Sequence, residues 1–564
     1  MAKRILIVGG VAGGASAAAR LRRLDETAEI IMFERGDYIS FANCGLPYYI
    51  GGEKKDRDDL LLQTPESFKK RFNIEVRIRN EVTAIDPGKK QINVKNLSSG
   101  ESYTESYDKL ILSPGAEPVR PPIPGINSDR IFTLRNVPDT DLINDFIDKH
   151  KPKRAVIVGA GYIGLEMAEN LRRRGTLVAV VEMVDQVLPV MDKEMTCFIQ
   201  QELHKHNVAL WLNDAVANFQ PSDSRLMVGL KSGMELSCDI VILAMGVKPE
   251  VELARQAKLE IGETGGIKVN KQLQTSDPDI YAIGDAIEVR NFALDNPTLI
   301  PLAGPANKQG RMVADNICGG NRHYNGTQGT SILKVFDLTV AMTGASEKAL
   351  TKTNMEYEKL YMHPANHVSY YPGAEQMHVK ILFTRPEGKI LGAQIVGSRG
   401  VDRRIDILAV AIRAGMTVFD LQELELAYAP PYGSGKDVVN MAGFAASNIL
   451  DGIVDVVHWN QLNKDDYILD VRSTGEFKKG NVPSSVNVPV DEIRNRFAEL
   501  PKNTVINAYC VVGLRSYIAC RILTQNGFIA RNISGGYITY CSHQNKEVMD
   551  HPTARQLREE FCLV

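Results

Sequence analysis

The chain of 564 residues contains no apolar run approaching the roughly 20 residues of a membrane-spanning helix, so no membrane partner is expected. Net charge is also nearly absent: 66 Lys and Arg face 68 Asp and Glu, leaving −2, which argues against a nucleic-acid-binding surface. A signal peptide is not expected at the start, because Gly9, Gly10, Gly13 and Gly14 interrupt the apolar run that opens at residues 5–8. The eight cysteines, at 44, 197, 238, 318, 510, 520, 541 and 562, lack the paired spacing of a metal site or a disulfide framework. A reducing cytoplasm with a few working thiols and no metal is the expectation. One further absence says more. No second cysteine lies near Cys44, within Ser40-Phe41-Ala42-Asn43-Cys44-Gly45-Leu46-Pro47-Tyr48-Tyr49. A dithiol can store two electrons as its own disulfide, whereas a single thiol can do so only by bonding to a sulfur from outside. The substrate must therefore bring the partner sulfur.

The length calls for roughly three or four domains. A β-branched run at residues 4–8 enters Gly9-Gly10-Val11-Ala12-Gly13-Gly14 and an alanine-rich helix at 15–24. Strand, glycine turn and helix in this order set backbone N–H groups against a pyrophosphate. Val11 replaces the second fingerprint glycine, but Glu34 closes the next strand at a distance suited to ribose hydroxyls. A second copy is cleaner: residues 155–158 lead into Gly159-Ala160-Gly161-Tyr162-Ile163-Gly164, and the strand at 177–181 ends in Glu182. A carboxylate there accepts ribose hydroxyls and repels a 2′-phosphate, favouring NADH over NADPH. Arg172, Arg173 and Arg174 read as a solvated helix face. The fold class is α/β.

A third signal identifies the flavin. The segment from Thr275 to Asp285, ending Tyr281-Ala282-Ile283-Gly284-Asp285, resembles the motif by which flavoprotein disulfide reductases hold the ribityl chain of FAD, with Asp285 in the bonding role. Residues 110–116, which include Gly115, and 242–246 resemble that family's crossover strands. The resemblance implies an FAD domain split between 1–150 and 250–325, an NADH domain at 151–249 and an α+β dimerisation domain at 326–448. Within the last, residues 330–336, 378–383 and 390–396 read as strands and 404–414 as a helix. It carries Tyr370-Tyr371-Pro372-Gly373 and Tyr428-Ala429-Pro430-Pro431-Tyr432, and it lacks the His and Glu pair by which glutathione-type reductases protonate their thiols.

More narrowly, residues 1–448 resemble coenzyme A disulfide reductase, whose Ser-Phe-x-Asn-Cys-x-Leu-Pro-Tyr stretch is matched from Ser40 to Tyr48. The resemblance makes Cys44 the redox nucleophile, with Ser40 and Asn43 beside the substrate and Arg23 and Lys436 on coenzyme A phosphates. It places Ser16 and Arg20 in the same pocket, offers Arg71 for a lysine the family uses, and has Tyr370 and Tyr428 reach Cys44 of the partner subunit in a homodimer. Related peroxidases carry a histidine where this chain has Ala12, which disfavours peroxide as substrate.

Beyond residue 455 the chain resembles a single rhodanese domain: Asp470-Val471-Arg472, then Cys510-Val511-Val512-Gly513-Leu514-Arg515-Ser516, then Gly535-Gly536. A thiol ending a strand and opening a glycine loop suits a persulfide, with N–H groups and the Arg515 guanidinium nearby. Asn481 stands where that family often has histidine. The fusion points to coenzyme A persulfide or polysulfide as substrate. Cys510 would relay sulfane sulfur, and electrons would pass from NADH through FAD to Cys44. Two other readings stay open: a coenzyme A disulfide reductase or NADH oxidase for thiol maintenance, and a rhodanese-type sulfur carrier.

Overall fold

The computed structural model describes residues 2–222, 225–544 and 558–562. Two compact units divide it, one formed by 1–183, 214–329 and 561–564, the other by 184–213 and 330–560.

The first unit holds both nucleotide folds. In one, parallel strands run in the order Ile280–Ala282, Lys109–Leu112, Arg4–Val8, Glu29–Phe33, Glu75–Arg77. The central strands are buried on both faces, as their continuous Val, Ile and Leu runs require. The helix Ala12–Leu24 packs on Ala303–Ile317, and the approach is close because Gly310 has no side chain: a Cβ there would lie 2.4 Å from Gly13 O. The second fold repeats the plan with Leu177–Glu182, Arg154–Val158, Ile240–Leu243 and Ile131–Thr133. Antiparallel three-stranded sheets, Asn80–Asp86 with Gln91–Asn96 and Ser102–Ser106, and Val216–Ser222 with Arg225–Leu230 and Glu235–Cys238, belong to the same unit.

The arginine run is solvated in part, with Arg173 exposed and Arg172 and Arg174 half-buried, but each of the three also has a partner. Arg173 pairs with Glu53 and with Glu169, Arg174 donates to Ile50 O at 3.0 Å and pairs with Asp148 at 2.6 Å, and Arg172 donates to Thr176 O at 2.9 Å. These charges fasten the second fold's first helix, Tyr162–Arg173, to the segment that follows Cys44.

In the second unit, residues 330–448 form an antiparallel sheet ordered Ser331–Val335, Leu338–Gly344, Ile390–Gly397, His378–Thr384, Tyr357–Met362. The strands Leu338–Gly344 and Tyr357–Met362 add to the three expected, and the expected helix begins earlier, at Val401–Ala414. Residues from 455 onward form a parallel sheet, Asp455–Val457, Ala530–Ile533, Ile506–Tyr509, Tyr467–Asp470, Val486–Asn487. It joins the antiparallel sheet through polar contacts: Tyr361 N–H donates to Ser534 Oγ at 3.1 Å, His363 Nε2 meets Thr539 Oγ1 at 2.8 Å, and His458 Nε2 meets Glu358 Oε1 at 3.2 Å. The stretch 545–557 lies outside the described residues.

Beneath that junction lies Lys380, fully buried, with Asp192, Glu194 and Glu347 carboxylates at 2.8, 2.5 and 2.6 Å. Burial alone would raise Glu194, but the Lys380 ammonium outweighs it and holds the carboxyl at about 2.

Candidate active site

The two glycine turns have the same construction. Gly9 and Gly159 adopt φ of +95° and +103°, open only to a residue without a Cβ, and Cβ atoms there would lie 2.1 Å from Ser113 O and 2.3 Å from Ala244 O. A Cβ on Gly14 would sit 1.9 Å from Gly9 O, and one on Gly164 2.0 Å from Gly159 O. Each helix thus seats directly on its turn. Gly14 therefore fills in the first fold the role that the spacing assigned to Gly164 in the second. Gly13 faces Ser113 Oγ and Ile283, Gly161 opens onto free space, and Ala12 begins the first helix. The carboxylates behave alike: Gly10 N–H donates to Glu34 Oε2 at 3.0 Å and Ala160 N–H to Glu182 Oε2 at 2.8 Å.

Asp285 lies in the short turn Gly284–Ala286, which Gln309 holds by accepting from Gly284 N–H at 2.8 Å. Burial raises the Asp285 pKa, with Arg135 opposing, and among the described residues its carboxylate makes no hydrogen bond. An open carboxylate beside a glycine turn fits a polyol chain, and a backbone turn cleared of Cβ atoms fits a pyrophosphate. The residues present therefore fit FAD at the first turn and a pyridine nucleotide at the second. Gly115, at φ +81°, ends the crossover, and its carbonyl accepts from Glu250 N–H at 3.0 Å.

Cys44 is placed by its neighbours. Ser40 takes the left-handed conformation, φ +45°, donates its N–H to Gly10 O at 2.8 Å and accepts from Leu62 N–H at 3.1 Å. The stretch is thereby tied to the first glycine turn. Asn43–Gly45 forms a single 3₁₀ turn, and Leu46–Ile50 follows as a helix with Leu46, Pro47 and Ile50 buried. This leaves Cys44 exposed at the surface of the stretch. Although the residue is open to solvent on one side, the protein packed around its sulfur, then the charges of Glu166 and Asp285, push its pKa up. Tyr48 donates to Glu166 Oε1 at 3.4 Å. Glu166 itself is raised to about 7 by burial, which the Tyr48 hydrogen bond only partly offsets. The other cysteines of the unit stand elsewhere, Cys238 inside Glu235–Cys238, Cys318 directly after Ala303–Ile317 and Cys562 near the chain's end.

The residues expected to meet coenzyme A fall into two groups. Ser16 donates to Asn307 Oδ1 at 2.5 Å and Arg20 pairs with Asp315 at 2.8 Å, so both are engaged inside the unit. Arg23 and Arg71 are exposed in the first unit, and Lys436 is exposed in the second. Tyr370 and Tyr428, 74% and 48% exposed, are brought together in the second unit with their hydroxyls 3.2 Å apart. That hydrogen bond raises the Tyr428 pKa.

Cys510 ends the strand Ile506–Tyr509 and is 1% exposed. Its Sγ receives Gly513 N–H at 3.1 Å and the Ser516 hydroxyl at 3.6 Å. Gly513 takes φ +104°, and a Cβ on Gly536 would lie 2.5 Å from Cys510 O, so the Gly535-Gly536 pair lets Tyr537 N–H brace that carbonyl at 2.7 Å. Arg515 forks onto Glu476 at 2.8 and 2.7 Å, and this pairing holds Glu476 at about 2. Asn481 donates to Phe477 O at 3.2 Å.

The pyridine nucleotide-disulphide oxidoreductase family matches residues 3–310, and that family's dimerisation domain matches 330–437. The chain belongs to this family. It is one of FAD- and NAD(H)-dependent flavoproteins, and this oxidoreductase also carries a rhodanese-like domain at 457–543. The coenzyme A disulfide reductase of Staphylococcus haemolyticus is 39% identical over 448 residues, 79% of this chain and 100% of the relative. The structure of reduced Bacillus anthracis CoADR-RHD shares 50% identity at a TM-score of 0.95, covering 97% of this chain and 98% of that one. The NAD-dependent persulfide reductase from A. fulgidus shares 36% at 0.90, covering 95% and 100%.

Sequence reasoning missed Gly14 as the packing glycine, and it missed Tyr48 and Glu166. Tyr48 stood inside the quoted stretch, so it was open to notice. Glu166 follows the second fingerprint by two residues, and only the packing of its helix shows that it faces Cys44.

Proposed function

We propose that this oxidoreductase reduces coenzyme A persulfide, and polysulfide through it, to coenzyme A and hydrogen sulfide, with NADH as reductant. One observation carries the reading: a lone thiol, Cys44, on a stretch tied to the first glycine turn coexists, in one chain, with Cys510, whose sulfur receives the Gly513 N–H and the Ser516 hydroxyl. The coarser activity, reduction of sulfur–sulfur bonds next to coenzyme A, is supported by the relatives' names.

Cys44 thiolate attacks the inner sulfur of the persulfide, forming a Cys44–coenzyme A disulfide and expelling HS⁻, a better leaving group than an alkyl thiolate. Bound NADH and FAD supply the electron pair that cleaves this disulfide. Cys44 thiolate is regenerated, and the departing coenzyme A thiolate takes a proton from the Tyr370 and Tyr428 hydroxyl pair of the other subunit. Glu34 and Asp285 hold FAD, Glu182 the ribose of NADH, and Arg23, Arg71 and Lys436 the anionic end of coenzyme A. Cys510 accepts sulfane sulfur and passes it to coenzyme A. In this reading 1–150 and 250–325 bind FAD, 151–249 NADH, 326–448 dimerises and 455–564 transfers sulfur. The chain works as a homodimer in the cytoplasm; none of its described helices is long and apolar enough to cross a membrane.

Anaerobic NADH consumption with coenzyme A persulfide and coenzyme A disulfide at matched concentrations, with sulfide measured alongside, tests this. A strong preference for persulfide with one sulfide per NADH is expected. Comparable rates, or preference for the disulfide, would reduce the activity to thiol maintenance. Cys44→Ser is expected to abolish both, and native turnover in that variant sinks the scheme.

A further inference from the structure

The two tyrosine hydroxyls meet at 3.2 Å although both side chains are exposed and each sits on an irregular segment, within 364–377 and 425–437. Exposed side chains on separate loops need a fixed backbone beneath them to keep such a distance. The structure supplies one in Arg404, 2% exposed on the first turn of Val401–Ala414. Its guanidinium reaches both segments. Nη2 donates to Asn366 O at 3.0 Å, four residues before Tyr370, and to Tyr432 O at 3.4 Å, four residues after Tyr428. It also pairs with buried Asp437 at 2.7 Å, and Nη1 donates to Gly400 O at 3.3 Å. Asp437 in turn caps Val438–Leu450, accepting from Val439 N–H at 3.2 Å, so the pair is anchored to a second helix. Arg403 extends the hold: its Nη2 donates to Ala427 O at 2.8 Å, directly before Tyr428, and its Nη1 to Tyr432 O at 3.3 Å. The segments are also joined to each other, Val368 N–H donating to Gly433 O at 3.0 Å.

We infer that Arg404, assisted by Arg403, is a positioning residue that sets Tyr370 and Tyr428 as a proton-donating pair. The inference rests on the reading above, in which those hydroxyls protonate the departing thiolate. The planar fork matters as much as the charge, since one guanidinium spans two carbonyls and a carboxylate at once. Lysine offers a compact ammonium that cannot reach all three in one plane.

A double-mutant cycle on the full-length, FAD-loaded enzyme, following NADH consumption with coenzyme A disulfide, tests this. If Tyr370→Phe with Tyr428→Phe leaves kcat unchanged, the proton-donor reading fails and the positioning role falls with it. Where that pair lowers kcat, Arg404→Lys and Arg403→Ala are each made in the native and the double-Phe backgrounds. In the native background Arg404→Lys is expected to lower kcat by about 10²-fold, the loss typical of a reacting group displaced by an ångström, with the KM for NADH unchanged. In the double-Phe background neither arginine variant should lower it further. Equal losses in both backgrounds, or no loss in the native one, overturn the inference. Should Arg404→Lys fail to fold or to retain flavin absorbance, the Arg403→Ala cycle decides by the same criterion, because that variant keeps the buried Arg404–Asp437 pair at 2.7 Å and removes, besides the two carbonyl bonds, only the longer Arg403–Asp437 contact at 3.6 Å.

Discussion

At the scale of single residues, Cys44 and Glu166 pull against each other. A nucleophile must be a thiolate, yet burial and a neighbouring carboxylate both favour the protonated thiol. Burial raises the Glu166 carboxyl to about 7, so its charge appears as pH rises through neutrality. Above that pH its carboxylate repels a Cys44 thiolate. Below it the repulsion is gone. Glu166→Gln should therefore shift the pH profile of Cys44 alkylation by iodoacetamide toward lower pH, and an unmoved profile would mean that Glu166 does not govern the thiol. The same carboxyl has a stability signature. Its folded pKa is raised, so the folded chain keeps a proton that the unfolded chain loses, and that stabilisation fades as pH rises through about 7. Denaturant unfolding at pH 5.5 and pH 8 should show a smaller difference in Glu166→Gln than in the native chain.

At the scale of elements, the paired turns show why glycine is needed where the helices seat. A methyl on Gly164 would fall 2.0 Å from Gly159 O, and the backbone must shift to admit it. Gly164→Ala should cost about 1–3 kcal/mol by overpacking and raise the KM for NADH while flavin absorbance is retained. Gly14→Ala should instead lose FAD. Much of this was legible in the sequence, because strand, turn and helix are local and their glycines sit at fixed offsets. With Val11 in place of the second fingerprint glycine, the spacing of Gly9, Val11 and Gly14 still matches Gly159, Gly161 and Gly164, and Gly14 makes the closest approach in its turn. Cys44 and Cys510 were legible as thiols at turns. The Tyr48–Glu166 contact was not, since it joins residues 118 positions apart through helix packing. Nor was the arginine cluster at 172–174, two of whose partners, Ile50 and Glu53, lie in the segment after Cys44. Charge on a helix gives no hint of which distant carbonyl or carboxylate awaits it.

Across the whole molecule, Lys380 is the point where the second unit's parts meet. Asp192 and Glu194 come from the excursion at 184–213, Glu347 from the short helix Glu347–Leu350, and Tyr361 from the antiparallel sheet, whence it continues to Ser534 beyond residue 455. Removing the ammonium takes the counter-charge from Asp192 and Glu194 and leaves Glu347 with Lys359 alone, at 2.7 Å. Lys380→Met is expected to destabilise the chain by about 3–5 kcal/mol in denaturant unfolding, and a loss below 1 kcal/mol would show that the cluster relaxes or takes up protons freely. The excursion has a consequence for how the protein is made. The chain passes between its units after residues 183, 213, 329 and 560. The helix Lys193–Lys205 leaves the ribosome long before Ile390–Gly397, whose Gln394 accepts from Asp192 N–H at 3.0 Å. It packs at once on Val208–Leu212, but the rest of its apolar face waits for a surface not yet translated. A nascent chain stalled at residue 329 would therefore be a client for chaperones and not a finished nucleotide-binding protein. For the same reason, a gene cut there would yield an insoluble half.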